Sequence, residues 1–192
     1  MYSAGVDEQR LGLALERWRK GGGEMPRLWT KAGRLIRSAA DTSLSVPLSA
    51  SRSPDGRVVV RDYTAAGAHA SFAESIERLQ LGEAGGTPPL AGLRIHDPNT
   101  DDVATALADS GMLSGLRELR AAGSIGHVSL GMNANQVAPD IMRLLRGAEG
   151  TFDSCLLAGG WNLLCQDGGP VMQEAAKQGI VIHNAGSLAS GL

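Results

Sequence analysis

The chain has 192 residues, 43% of them hydrophobic and 20% charged. That balance is enough for one buried core and excludes a disordered chain. A net charge of −2 argues against a nucleic-acid or membrane-surface role, and no apolar run approaches the ~20 residues of a membrane span. The N-terminus, Met-Tyr-Ser-Ala-Gly-Val-Asp-Glu, has no basic stretch followed by an apolar one, so no signal peptide is expected. Cys155 and Cys165 stand at no metal or redox spacing. Two buried free thiols in a reducing, cytoplasmic compartment are the expectation.

In chain order, Leu11, Leu15 and Trp18 recur at i, i+4, i+7 and predict a helix over about 7–19, stopped by Gly21-Gly22-Gly23. Residues 27–32 read as a short strand ending near Lys31. Residues 37–67 read as a polar excursion, in which the turn signal Pro54-Asp55-Gly56 and the following Val58-Val59-Val60 fit a small hairpin. Ser71-Phe72-Ala73-Glu74 has capping-box spacing, and Phe72, Ile76 and Leu79 form the stripe of a second helix. A strand near 91–95 ends at His96, and Asp101 reads as a helix N-cap. A helix over about 113–122 carries Leu113, Leu116 and Leu119 and ends before Gly123. A strand at 126–131 then ends at Gly131-Met132-Asn133. The next helix carries Val137, Ile141, Leu144 and Leu145. A strand at 152–158, a helix over about 169–178 capped by Gly179, and a strand at 180–184 complete the series. The 26 glycines fall mostly between these segments, as many tight connections require.

Helices alternating with strands imply an α/β fold with a parallel sheet and right-handed crossovers. An open doubly wound sheet and a (β/α)₈ barrel both fit this alternation. Lys31, His96 and Asn133 all fall at the carboxyl ends of strands, where active sites sit in either architecture. With Tyr2 they supply a phenol, an ammonium and an imidazole, which together make a proton-donating site for a carbonyl. A tyrosine is a poor acid at its ordinary pKa of about 10, and a nearby ammonium lowers that value. His69, His127 and His183 read as structural or exposed. The stretch Asp97-Pro98-Asn99-Thr100-Asp101-Asp102 begins like a calcium loop but has Asp102 where glycine is needed and Ala108 in place of the closing glutamate, so no metal is expected.

Several segments, taken in order, carry a family resemblance. Tyr2 to Glu8 with Leu11-Gly12 resembles the aldo-keto reductase segment in which the catalytic tyrosine precedes a glutamate and a glycine. Thr30-Lys31-Ala32-Gly33-Arg34, Asp62-Tyr63, Ser71-(x)₂-Glu74-Ser75-(x)₃-Leu79 and Ile95-His96-Asp97-Pro98 are similar to later motifs of that family. The likeness is nearest to its aldose- and pyridoxal-oxidising branch and runs along essentially all 192 residues. It implies a single domain over 1–192 with a parallel (β/α)₈ TIM-type barrel, incomplete, running from about the end of strand two to strand seven. It also implies a small sugar or aldehyde substrate and NADP or NAD bound without a Rossmann motif, and no such motif occurs here. Tyr2 would be the acid/base, Lys31 the group lowering its pKa, His96 the residue orienting the carbonyl, and Asn133 the partner of the nicotinamide carboxamide.

The family's catalytic aspartate would precede residue 1, its eighth strand would follow residue 192, and Ala158 stands where glutamine is common. The expectations are therefore an internal fragment of an NAD(P)-dependent oxidoreductase with little turnover of its own or, alternatively, a catalytically inactive remnant acting through binding. Open sheet edges would be available for self-association, and an apolar concave face would be exposed.

Overall fold

The structure, a computed structural model, describes residues 2–38, 40, 56–82 and 89–189. A 3₁₀ turn (Tyr2–Gly5) leads into α1 (Val6–Lys20). Asp7 and Glu8 lie in the first turn of α1 and Arg17, Arg19 and Lys20 in the last, which complements the helix dipole. The expected apolar stripe is only partly used. Leu15 is buried, whereas Leu11 and Trp18 are exposed. The helix docks through Gly12, where a Cβ would sit 2.6 Å from the Arg78 carbonyl oxygen. So close an approach leaves Leu11 and Trp18 outside the contact. The Trp18 indole instead donates to the Glu24 carbonyl at 2.8 Å.

β1 (Trp29–Ala32) ends one residue past Lys31. The expected hairpin is present as antiparallel β2 (Arg34–Ser38) and β3 (Arg57–Arg61), and the turn signal Pro54-Asp55 lies outside the described residues. α2 (Ala65–Leu79) starts well before the predicted cap: Thr64 is the N-cap, its side chain accepting from the Gly67 N–H. Ser71 lies inside the helix, buried, and its hydroxyl accepts the Gly33 N–H at 3.2 Å. A Ser-x-x-Glu spacing can occur within a helix as well as at its start, and here tertiary partners hold both residues.

β4 (Leu90–His96) is followed by a short helix, α3 (Thr100–Leu107). Its N-cap is Asn99 rather than Asp101, and Asp102 closes the capping box. α4 (Met112–Ala121), β5 (Ile125–Asn133), α5 (Ala134–Gly147), β6 (Ser154–Ala158), α6 (Gly169–Lys177) and β7 (Val181–Ala185) complete the chain. Val137, counted in the α5 stripe, has a side chain outside the described residues.

The main sheet is parallel with strand order β1-β4-β5-β6-β7. No strand order reverses, so the doubly wound alternative falls and the architecture is that of an incomplete barrel. Period-2 alternation separates the two faces. Leu93, Ile95, Val128, Leu130, Cys155 and Leu157 point to one side and pack with Leu116, Leu144, Leu145 and Val171 of the helices. The opposite face carries Trp29, Lys31, Arg94, His96, His127, Ser129 and His183, as the shared register requires.

The expectation of exposed apolar side chains on the concave face is met in part: Val181 at the sheet edge is exposed and Leu156 is half-buried. Much of the rest of the face is polar and aromatic, while Leu90 and Ile125 on it are buried. The Arg94 guanidinium lies 4.5 Å from the Trp29 ring centroid, His127 stacks on Trp29 at 5.8 Å, and Arg94 reaches His183 Nδ1 at 2.6 Å. His127 and His183 are thereby accounted for as structural. His69 pairs with Glu118 at the surface. Both cysteines are free, Cys155 buried and Cys165 half-buried. Among the described residues no helix is long and apolar enough to cross a membrane.

Candidate active site

Register brings Lys31 and His96 together. Lys31 in β1 pairs with Arg94 in β4. His96 lies two residues further along β4 on the same face, about 6–7 Å toward the carboxyl ends. A lysine side chain spans that step, and Lys31 Nζ lies 3.0 Å from His96 Nε2. The same imidazole nitrogen is 3.1 Å from Asp97 Oδ2. His96 is buried. Its pKa is held below the ordinary imidazole value first by burial and then by the charges of Lys31 and Arg34, while the Asp97 carboxylate opposes them. Burial works against the Asp97 carboxylate too, but the hydrogen bond from His96 and the charges of His96, Arg34 and Lys31 outweigh it and hold its pKa below the usual carboxylate range.

The backbone of this corner is fixed from several directions. The buried Tyr63 hydroxyl donates to the His96 carbonyl at 2.5 Å. Arg61 and Arg34 donate to the Asp97 carbonyl at 3.0 and 3.4 Å. The Asp97 N–H continues the sheet ladder to the Gly131 carbonyl at 3.0 Å. Gly33 permits this arrangement: at φ +103° it occupies a region that disfavours side chains, and a Cβ there would lie 2.5 Å from the Tyr63 ring. Burial pushes the Tyr63 phenol up to about 12, so it acts as a hydrogen-bond donor and stays protonated.

The chain has two tyrosines, and Tyr63 is committed to this backbone. Tyr2 opens the 3₁₀ turn, and its side chain lies outside the described residues. The segment that carries it is anchored. Gly5 is buried at φ +87° against Ile36 and Arg78, and Arg57 donates to the Ala4 carbonyl at 3.0 Å. Glu8 accepts from Arg78 Nε at 2.7 Å, from the Ser75 hydroxyl at 3.1 Å and from the Thr30 hydroxyl. Thr30 precedes Lys31 in β1, so the helix following Tyr2 is tied to the strand that bears the lysine.

Asn133 ends β5 on the same face as His96, one side-chain step past Gly131, which pairs with His96. It is exposed, and its side chain makes no capping bond to α5. Ala158 stands opposite it in β6. A cavity of about 710 Å³, lined in part by Leu28, Ala91, Gly126 and His127, lies at the amino ends of the strands, the opposite end of the sheet from this cluster. Sequence reasoning missed Asp97, Arg61 and Arg78 as members of the arrangement. Asp97 stands inside the Ile95-His96-Asp97-Pro98 motif, and Arg61 directly precedes Asp62-Tyr63, but nothing local marks Arg78.

No family-wide sequence profile matches the chain. It is 32% identical over 205 residues to a D-threo-aldose 1-dehydrogenase of Pseudomonas sp, covering 98% of this chain and 55% of the relative. It is 33% identical over 141 residues to a pyridoxal 4-dehydrogenase of Microbacterium luteolum, covering 69% of this chain and 38% of that protein. The chain thus spans about half or less of the length of the curated relatives it matches. The crystal structure of an aldo-keto reductase from a Medee basin deep-sea metagenome library superposes with a TM-score of 0.59 at 12% identity, covering 98% of this chain and 59% of that one, which supports the barrel-type fold. With the ordered motifs, the unreversed parallel sheet and the two dehydrogenase relatives all in agreement, the chain belongs to the aldo-keto reductase family.

Proposed function

We propose that this chain carries the site of an NAD(P)-dependent oxidoreductase that interconverts an aldose or related aldehyde with its oxidised or reduced counterpart. The observation that carries this reading is the 3.0 Å approach of Lys31 Nζ to His96 Nε2 at the carboxyl ends of neighbouring strands. NAD or NADP, when bound, supplies the hydride chemistry. Asn133 fits a role in holding it: its carboxamide is exposed at a strand end and uncommitted to the helix cap, and it offers the donor and acceptor that a nicotinamide carboxamide needs.

Tyr2 takes the hydroxyl proton in oxidation and returns it in reduction, general acid–base help worth roughly 10²–10⁴-fold. The Lys31 ammonium favours the phenolate of Tyr2. His96, buried and held chiefly neutral, donates a hydrogen bond to the reacting oxygen and orients the carbonyl. The relatives' names point to aldoses and pyridoxal as substrates to try, and the two free thiols fit a reducing, cytoplasmic setting.

The test is NAD(P)H absorbance with L-fucose, L-galactose and pyridoxal, on protein expressed from its natural reading frame. Tyr2→Phe is expected to lower kcat by roughly 10²-fold or more, and Lys31→Met to lower it in parallel. Turnover that survives Tyr2→Phe within about twofold would remove Tyr2 from the mechanism.

A further inference from the structure

Among the described residues, two partners of His96 Nε2 ask opposite things of it. Lys31 Nζ, 3.0 Å away, can only donate, so it favours the bare nitrogen. Asp97 Oδ2, 3.1 Å away, can only accept while ionised, so it favours Nε2–H. One nitrogen cannot satisfy both at once. The proton on Nε2, the one a substrate oxygen would meet, is set by this competition.

The Asp97 side chain turns back onto its neighbour's ring because its backbone is left-handed, at φ 43°, a region uncommon for residues other than glycine but tolerated by Asp and Asn. Two guanidiniums from the hairpin hold it there. Arg34 Nη2 lies 3.6 Å from the carboxylate and 3.4 Å from the carbonyl, and Arg61 donates to the carbonyl at 3.0 Å while pairing with Asp102. The corner does not need the Asp97 carboxylate for its shape. Tyr63 holds the preceding carbonyl, and Asn99 with Asp102 caps the next helix.

We propose that Asp97 is a positioning residue for the reaction: clamped by Arg34 and Arg61, its carboxylate competes with Lys31 for His96 Nε2 and keeps a proton on the nitrogen that faces substrate. The inference rests on the reading of His96 as the carbonyl-orienting residue. Among the described residues the charged and titratable groups facing this corner are Lys31 from β1, Arg34 from β2, Arg61 from β3, Tyr63 before α2 and Asp102 from α3, and the charge of the amino terminus also acts on His96, lowering its pKa. β5 meets it with Gly131, which brings no charge.

Asp97→Asn separates charge from shape, because asparagine accepts the same backbone conformation. The readout is the ¹⁵N spectrum of the His96 imidazole, assigned by comparison with His96→Gln. In Asp97→Asn the His96 titration midpoint is expected to fall by about one pH unit and Nε2 to lose its proton in the neutral form, with the thermal midpoint retained. In turnover, kcat falls about tenfold with KM nearly unchanged, and the acid limb of the pH profile moves with the NMR midpoint. Lys31→Met removes the competitor and shifts the midpoint upward, which keeps the proposal testable if Asp97→Asn does not fold. An unmoved midpoint and tautomer in Asp97→Asn, or a downward shift in Lys31→Met, overturns it. If the midpoints move as expected but no aldose or aldehyde is turned over, Asp97 still governs His96 and it is the oxidoreductase reading that falls.

Discussion

Glu8→Ala tests whether the helix after Tyr2 is fastened to the barrel as the geometry implies. Glu8 and Arg78 are largely buried, with side chains 17% and 10% exposed. Removing the carboxylate takes away the Arg78 Nε bond at 2.7 Å and two hydroxyl contacts. The losses are unequal. Thr30 and Ser75 keep each other at 3.2 Å, and Arg78 keeps Glu74 at 3.0 Å. Arg78 Nε, however, joins Nη2, which is already buried without a partner among the described residues.

Stranding a buried charge completely costs about 3–5 kcal/mol, and the surviving Glu74 contact keeps the loss below that. One charge-assisted hydrogen bond is worth about 1.5–3 kcal/mol, so Glu8→Ala is expected to cost about 2–3 kcal/mol. At this chain length that lowers Tm by roughly 5–10 °C. Urea titration followed by circular dichroism measures it, and a cycle with Arg78→Leu should give a coupling of at least about 1 kcal/mol. Glu8→Gln, which keeps an acceptor for the hydroxyls, should recover part of the loss. A Glu8→Ala cost under about 0.5 kcal/mol with no coupling would refute the anchoring argument and, with it, the claim that this network places the segment bearing Tyr2.

Gly33→Ala combines a left-handed backbone with a Cβ 2.5 Å from the Tyr63 ring. Strain of about 1–2 kcal/mol and overpacking of about 1–3 kcal/mol should together lower Tm markedly in a thermal melt, and an unchanged Tm would mean that Tyr63 is not held where the structure has it. The pH dependence of stability derives from the lowered His96 pKa. Above the ordinary imidazole value of about 6.5 both folded and unfolded states are neutral. As pH falls below it the unfolded chain takes up the proton first, so stability declines with acidification and levels off beneath the folded pKa. His183 contributes in the same sense, so urea midpoints of His96→Gln should show a shallower acid decline than wild type, and an identical slope would contradict the burial account. Arg94→Met removes the cation from Trp29 and from His183. Burial is the larger cause of the lowered His183 pKa and Arg94 the smaller, so NMR should show a partial upward shift of the His183 midpoint, and no shift would place Arg94 elsewhere.

The features legible in the sequence are mostly those that depend on neighbours along the chain. Lys31 and His96 each close an apolar run, and both lie at or within one residue of the carboxyl ends of neighbouring parallel strands, on one face. The start of α2 is easily misread because Ser71 and Glu74 imitate a cap inside the helix, while Thr64, the true cap, stands inconspicuously after Asp62-Tyr63. α3 escapes a full reading because eight residues with Val103 and Ala106 as their buried positions give too little periodicity to register. The Asp97 clamp is invisible at that level. Arg34 and Arg61 become neighbours only when β2 and β3 pair in antiparallel register, and Glu8 meets Arg78 across 70 positions of chain.

The concave face carries polar side chains toward the carboxyl ends of β1, β4 and β5, and the reason also explains why the site exists. Strand alternation sends successive side chains to opposite faces of the sheet. In β4, Leu93 and Ile95 go to the helices, which sends Arg94 and His96 the other way. In β1, Thr30 and Ala32 do the same and turn out Trp29 and Lys31. Parallel register then stacks these residues in rows, with Trp29, Gly92 and His127 near the amino ends and His96, Gly131, Leu156 and His183 near the carboxyl ends. Gly92 leaves room for the long side chain beside it: a Cβ there would lie 2.1 Å from the Trp29 ring. Slipping β4 by one residue against β1 would bury His96 among leucines and expose Ile95. The hydrophobic pattern that fixes the core therefore fixes the register, and the register puts the Lys31 ammonium against the His96 imidazole.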